Sequence, residues 1–340
     1  MVSPGAQFTI GWYPMSESSS VITNPDLWFE DGDVVLVAGD THYKLYANLL
    51  ARHSTRFRTM FMETKLEAGD SYENFDGCPM YTLPHEPEEV TLMLRRMMGF
   101  DRGDSLLDDI RTLETLLEMG THYEVTTLRE EALMWIQKLY PPSLFAFDQS
   151  IHARPALMSL FAPNVESPLD VDYHLARLAF RYRLREVLPL ALYNLAAAEP
   201  ISFLETSDRC QTGAKSGVYD MQIVQACYAA RPCLVYRRHT DTFSFLNGDP
   251  GPTSSCPQPG RCIEAVHAMR EAILRSEEDF QHRICADALE DLTPLIEEYL
   301  RPTGCGACLE AVKGEHTRAR EGIFAELGTS SFFDVDYYFQ

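Results

Sequence analysis

The sequence is poor in positive charge. Lys and Arg number 29 against 50 Asp and Glu, which gives a formal net charge of -21. A chain with this balance repels phosphate backbones and anionic lipid unless a local basic patch overrides it. The densest basic run, residues 177–185, alternates with apolar side chains, as is typical of the solvated side of an amphipathic helix. We therefore expect neither nucleic acid nor a membrane among its partners.

An export signal and a long apolar run are also missing. The first residues have neither the basic n-region nor the apolar h-region of a secretory signal. The most apolar stretch, residues 188–198, is too short for a bilayer and contains Pro189. No Asn-x-Ser/Thr acceptor occurs, and nine cysteines over 340 residues are an odd number, which argues against a full disulfide framework. These observations predict an intracellular chain, cytoplasmic and/or nuclear, with reduced thiols.

The common catalytic signatures are absent too. G-x-G-x-x-G, the phosphate-binding loop, H-E-x-x-H and G-x-S-x-G do not occur. The ten histidines are scattered along the chain. A triad can still assemble from residues far apart in sequence, so an enzyme stays as a minor alternative. The prediction is a non-catalytic protein with no catalytic residues and no organic cofactor.

What is present divides the chain near residue 140. Residues 1–23 are rich in Ser, Gly and Pro and predict a flexible tail. Residues 24–140 carry dense strand and helix signals, whereas helical spacing dominates residues 141–340, interrupted by a Pro- and Gly-rich loop near 247–260. Strands that come before helices indicate an α+β fold. We expect such a domain followed by a mostly α-helical C-terminal region.

Residues 31–61 carry the clearest local signal. Val34 to Val37 form a β-branched apolar run, and Gly39-Asp40 is a plausible two-residue hairpin turn. Apolar positions at helical spacing follow and supply faces that can cover the hairpin: Leu49, Leu50, Phe57, Met60 and Phe61. Further along, the pattern predicts a strand at residues 80–83 and helices whose start signals lie near residues 86, 104–105 and 127–130.

Residues 26–140 resemble a BTB/POZ domain, in particular the expanded set of these proteins in mushroom-forming fungi. The resemblance rests on Asp33-Val34 ahead of the strand VVLVAG and on a match to the pattern L-x-R-x-S-x-x-F-x-x-M-F. The matching residues are Leu50, Arg52-His53-Ser54, Phe57 and Met60-Phe61. Residues 72–83, with Asp76-Gly77-Cys78-Pro79, are similar to the lead into the third strand of the fungal subset. The resemblance implies a small sheet covered by helices.

One position departs from the family pattern. The family commonly has a His four residues before the position of Leu50, and this chain has Tyr46 there. The resemblance places that residue near a dimer surface, so Tyr46 and Asp33 are the candidate protein-contact residues; alternatively, Asp33 caps or ends a strand.

The resemblance implies a protein-protein interaction module that self-associates as a homodimer and/or recruits a partner. More specific alternatives are a substrate adaptor that binds a cullin in a ubiquitin ligase, or a transcriptional co-regulator that binds corepressors without contacting DNA.

The cysteines carry the one chemical hypothesis. Cys305-Gly306-Ala307-Cys308 is a C-x-x-C in a Gly-rich turn, a spacing that lets two thiolates reach one tetrahedral zinc. Cys256 and Cys262 form a second pair upstream, and His316 follows downstream; together they predict a structural zinc site. The spacings are longer than is usual for zinc ribbons, so a redox dithiol and unliganded thiols remain as alternatives. The fungal proteins that this chain resembles often have a C-x-x-C followed by a His, which favours zinc.

Overall fold

A computed structural model of the chain describes residues 22–66, 74–100, 110–161, 166–210, 217–247, 253–276 and 285–339. Most of the predicted tail, and residues 248–252 of the predicted loop, lie outside these ranges. The chain forms two compact units: residues 1–104 with 118–129, and residues 105–117 with 130–340. The described residues combine one small sheet with many helices, so the α+β class is confirmed.

The first unit contains a five-stranded sheet. Its strands are β1 (Ile22–Trp28), β2 (Val34–Ala38), β3 (Thr41–Leu45), β4 (Asn74–Phe75) and β5 (Cys78–Leu83), in the spatial order β1-β3-β2-β5-β4. β2 and β3 are the predicted antiparallel hairpin, with Gly39 in its turn at a φ of 52° that glycine adopts without strain. β5 pairs in parallel with β2, and β1 in parallel with β3. β2 is buried at every position, because it lies between β3 and β5 in the sheet and both of its faces are covered.

Helices of the first unit follow the strands. α1 (Ala47–His53) and α2 (Thr55–Leu66) come directly after the hairpin, and α3 (Pro87–Met98) follows β5. Glu86 and Glu89 form a capping box at the start of α3, and Gly99 ends it in the left-handed region at φ 77°. Leu50 and Phe57 are fully buried, and the Phe57 ring stacks against Tyr123 with centroids 4.9 Å apart. The predicted core role of these apolar positions is therefore confirmed.

α4 (Ile110–His122) and α5 (Thr126–Leu139) contribute residues to both units. The second unit then continues through a long series of helices in the described residues: α6 (Leu144–Phe161), α7 (Pro168–Tyr182), α8 (Leu188–Ala197), α9 (Pro200–Cys210), α10 (Gly217–Arg237), a π-helical turn (Arg238–Thr242), α11 (Ser244–Asn247), α12 (Pro259–Ser276), α13 (Thr293–Thr303), α14 (Gly306–Glu326) and α15 (Val335–Tyr338). No helix within the described ranges has the length and apolar character needed to cross a bilayer. The expectation of a mostly helical second half is confirmed.

Three local expectations differ from the structure. β1 was not expected, because its residues include Pro25 and Asp26 and lack the alternation typical of a strand; residues 22–23, assigned to the tail, belong to it. Thr127 does not cap α5, since the helix already begins at Thr126. β5 begins at Cys78, two residues before the predicted start, and Pro79 is accommodated there opposite the short strand β4.

Candidate metal centre

Four cysteines from two segments that are distant in sequence meet within the second unit. Cys256 lies in the short loop before α12, and Cys262 lies in the first turn of that helix. Cys305 occupies the N-cap position of α14, and Cys308 lies in its first turn. The structure thus brings together all four predicted ligands, although more than forty residues separate the two pairs in sequence.

The sulfur positions match a tetrahedral metal. All four Sγ atoms lie within 4.8 Å of one another, with Cys256 to Cys262 at 3.6 Å and Cys256 to Cys305 at 3.7 Å. A Zn–S bond of about 2.3 Å places the corners of a tetrahedron about 3.8 Å apart. The measured separations therefore leave room for one ion at the centre. Four thiolates in this arrangement are the donor set that zinc prefers in structural sites.

Backbone N–H groups point at two of the sulfurs. The N–H of Cys308 donates to the Cys305 sulfur at 3.4 Å, and the N–H of Cys305 donates to the Cys262 sulfur at 3.3 Å. Contacts of this kind stabilise negative charge on ligand sulfurs. Cys262 and Cys308 also lie in first turns, where the partial positive charge of the helix N-terminus favours a thiolate.

Two of the thiols, Cys305 and Cys256, differ widely in pKa. The backbone N–H of Cys308 lowers the pKa of Cys305 to about 7. Desolvation, with further contributions from the neighbouring cysteines, raises the pKa of Cys256 to about 12. Since the metal requires thiolates, an ion that enters this site displaces the protons of the less acidic members. The site is consequently one whose metal affinity increases with pH.

A compact apolar core supports the cysteines. It is built from buried residues of α11, α12 and α13 and of the positions just before α11 and α13: Phe243, Phe245, Leu246, Ala265, Val266, Met269, Leu292, Ile296 and Leu300. Gly304 lies between this core and the C-x-x-C turn. A Cβ atom at this position would lie 2.8 Å from the carbonyl oxygen of Leu300. The close approach of the turn to α13 therefore requires glycine.

His316 is not part of the cluster. Its ring is fully buried, its Nε2 accepts the N–H of Leu292 at 3.0 Å, and its Nδ1 lies 3.2 Å from the carbonyl oxygen of Thr242. Burial lowers the pKa of this imidazole. Both ring nitrogens are thus occupied within the core, so the expectation that His316 helps to close the site is wrong. Sequence spacing could not show whether a histidine eight residues after Cys308 on the same helix is a metal ligand or a core residue.

The two predicted contact residues lie together in the first unit. The exposed Asp33 accepts the N–H of Ala47 through Oδ1 at 2.6 Å, at the first residue of α1. Tyr46 occupies the N-cap position, donates its hydroxyl to Asp31 at 2.6 Å and packs against Phe29 with ring centroids 5.2 Å apart. Asp33 therefore helps to begin α1, a role that neither the predicted protein contact nor the alternative of capping or ending a strand anticipated, while the side chain itself stays at the surface.

Protein-family models, curated proteins and solved structures were all compared with the chain, and none matches it. The resemblance to BTB/POZ domains accordingly stays a prediction.

Proposed function

We propose that this chain is a non-catalytic protein-protein interaction protein, in which the first unit self-associates and/or recruits a partner protein and the second is held together by a structural zinc ion. The first unit has the arrangement that a BTB/POZ domain implies, with a small sheet covered by helices. The matching residues Leu50, Phe57 and Phe61 lie in its core. These observations support the assignment of the module.

The observation that carries the interaction role is the open edge of the sheet. β1 lies at the end of the strand order, and no strand within the described ranges pairs with its outer side. Ile22 in this strand is 55% exposed. An edge strand with an exposed apolar side chain offers a surface to which a strand of another chain can add.

The pairing of β1 with β3 is irregular in the middle of the strand. Its register against β3 is irregular between Thr23 and Trp28, and Pro25 has no N–H to donate. Leu27 is the single fully buried residue of the strand, and it fixes the strand to the core. An edge strand whose pairing is interrupted in the middle can adjust there to a partner while its two ends stay paired with β3.

Light scattering after size-exclusion chromatography tests the self-association part. The wild-type chain at tens of micromolar is expected to elute with the mass of a dimer. Ile22→Lys adds a charge to the edge and should shift the protein to a monomer. Ile201→Lys is the matched control, because Ile201 is 66% exposed on α9 in the other unit. A wild-type chain that remains monomeric, or a dimer unaffected by Ile22→Lys, contradicts this part of the proposal.

The zinc part rests on the sulfur geometry. Four thiolates join the loop before α12 to the turn between α13 and α14, so an ion there would fix segments that are far apart in sequence. A structural role follows from the ligand count, since four cysteines complete the coordination and leave no position open for substrate. Metal analysis of the purified chain should give close to one zinc per molecule. A preparation without zinc that also fails to take it up contradicts the assignment.

A further inference from the structure

The solvent side of α10 is uncharged and largely apolar. The large apolar and aromatic side chains on it are between 52% and 73% exposed. The exposed residues of this 21-residue helix, which we call the α10 face, are Gly217, Val218, Met221, Gln225, Tyr228, Ala229, Pro232 and Tyr236.

The three charged residues of α10 are engaged elsewhere in the fold. Asp220 is buried and pairs with Arg177 at 3.4 Å. Arg231 donates to backbone carbonyl oxygens at the C-terminal end of α8, and Arg237 pairs with Glu326 at 2.8 Å. None of the three belongs to the exposed residues of the helix, so its whole solvent side is neutral.

α14 provides a comparison within the same unit. It also has 21 residues, and its exposed positions include Glu310, Glu315, Arg318 and Glu321. Charged side chains of this kind are normal on the outer side of a surface helix. An exposed apolar stripe without them is the pattern of an interaction surface. The α10 face is therefore a candidate docking surface.

The spacing along the α10 face suits a second helix. From Val218 to Pro232 the larger exposed residues follow one another at alternating intervals of three and four, and Tyr236 extends the stripe by one turn. Side chains at these intervals lie on one side of a helix and form the seam along which another helix packs. Tyrosine and methionine are also enriched in protein interfaces.

The exposed charge beside the α10 face is acidic. α9 lies next to α10, because the Phe203 ring contacts that of Tyr228 with centroids 6.1 Å apart. The exposed charged residues of α9 and of the position before it are Glu199, Glu205 and Asp208, and none of them pairs with a Lys or Arg of the described ranges. With a net charge of -21, such a surface favours a partner that brings positive charge and disfavours a second copy of this chain.

We propose that the α10 face binds an amphipathic helix of a partner protein, whose apolar stripe packs on Met221 and Tyr228 and whose flanks carry lysine or arginine. The mode of recognition is that of a helix laid on an apolar surface. The inference goes beyond the proposed function, because it adds an interaction surface on α10 and depends neither on the β1 edge nor on zinc.

Fluorescence anisotropy of labelled peptides, titrated with the full chain, tests the inference. The probe is a peptide of about three heptads with leucine at positions a and d and lysine at e and g. A second peptide carries glutamate in place of lysine, and a third has the composition of the first in scrambled order. We expect saturable binding of the lysine peptide and at least about tenfold weaker binding of the other two, since one lacks the complementary charge and the other the apolar stripe.

Met221→Lys locates the site. It places a charge within the stripe, while lysine, a good helix former, retains α10. Binding of the lysine peptide should weaken by about tenfold or more, because an apolar contact is lost and a like charge is added. Phe145→Lys is the matched control, since it adds the same charge at an exposed apolar residue of α6 in the same unit. Circular dichroism verifies that both variants are folded.

Ile22→Lys should bind the lysine peptide like the wild type, so a failure of the β1 edge and a failure of this inference are separate results. The inference is overturned if the lysine peptide does not bind up to about 100 μM, if either other peptide binds equally well, or if Met221→Lys binds like Phe145→Lys. A second copy as the occupant would lower the light-scattering mass of Met221→Lys without any binding of the peptide, and this result would also overturn it.

Discussion

Replacement of Cys305 by serine is the sharpest test of the metal centre. Serine is a favourable N-cap residue, so Cys305→Ser retains the start of α14 while it removes one of the four thiolates. The free energy lost should therefore report the metal and not the helix. Cys233→Ser is the matched control, because Cys233 is a free, half-buried cysteine outside the cluster.

Linkage gives the magnitude. An ion present at about 1,000 times its dissociation constant stabilises the folded state by ~4 kcal/mol. The second unit has about 220 residues, and for a body of that size ~1 kcal/mol shifts the thermal midpoint by about 2–4 °C. Loss of the ion should accordingly lower the midpoint of this unit by roughly 8–16 °C.

Two measurements check the prediction. Metal analysis should give close to one zinc per chain for the wild type and for Cys233→Ser, and much less for Cys305→Ser. Thermal unfolding followed by circular dichroism should show the lower midpoint for Cys305→Ser and for the wild type after chelation. If Cys305→Ser keeps both the zinc content and the midpoint of the control, the four sulfurs do not form a metal site and the reasoning from their geometry fails.

Three further predictions concern stability. Gly304→Ala should destabilise the second unit by about 1–3 kcal/mol through overpacking against α13, whereas Gly306→Ala should be tolerated because a Cβ atom there meets nothing within 4 Å; urea unfolding compares the two. Ser54→Ala should destabilise the first unit by about 1–2 kcal/mol, because the buried Ser54 hydroxyl accepts the N–H of Phe57 in α2 and donates to the carbonyl oxygen of Tyr123. Thr59→Ala, at an exposed position, should change the stability little in the same assay. Burial lowers the pKa of His316 in the folded state, so the unfolded chain binds this proton at a higher pH than the folded chain does. The free energy of unfolding should therefore fall as the pH drops below about 6.5, by up to ~1.4 kcal/mol per pH unit, until the folded pKa is reached. His316→Gln keeps a hydrogen-bond acceptor and a donor but removes the titrating group, so the difference in unfolding free energy between pH 7.5 and pH 5.5 should become smaller. An unchanged pH dependence would contradict this prediction.

The parts of the fold that follow from local sequence were predictable. The β2–β3 hairpin was expected because an apolar β-branched run precedes Gly39-Asp40, and turn chemistry of this kind acts within a few residues. α3 was expected because its acidic start, its proline at the first position and its terminal Gly99 are all local signals. Such elements can be predicted without knowing which residues pack against them.

Other elements depend on partners that lie far along the chain. β1 exists because β3 offers it a paired edge and because Leu27 is buried, neither of which its own residues announce. A cavity of about 440 Å³ likewise depends on three helices, α6, α7 and α8, and on residues 287–291, and its charge balance depends on where Arg154, Arg238 and Arg320 point. No pattern in the sequence reports these orientations.

The metal centre depends on local sequence and on long-range packing together. The sequence by itself determined the candidate ligands, because the C-x-x-C spacing limits how far apart two sulfurs on one turn can lie. Only the tertiary structure decided that Cys256 and Cys262 reach the same point, since packing of α12 against α13, and of α13 against α14, sets that distance. The structure also excluded His316, whose nitrogens are occupied by backbone groups that only the folded core brings near it. Local chemistry selects the residues that can act, and long-range packing decides which of them meet.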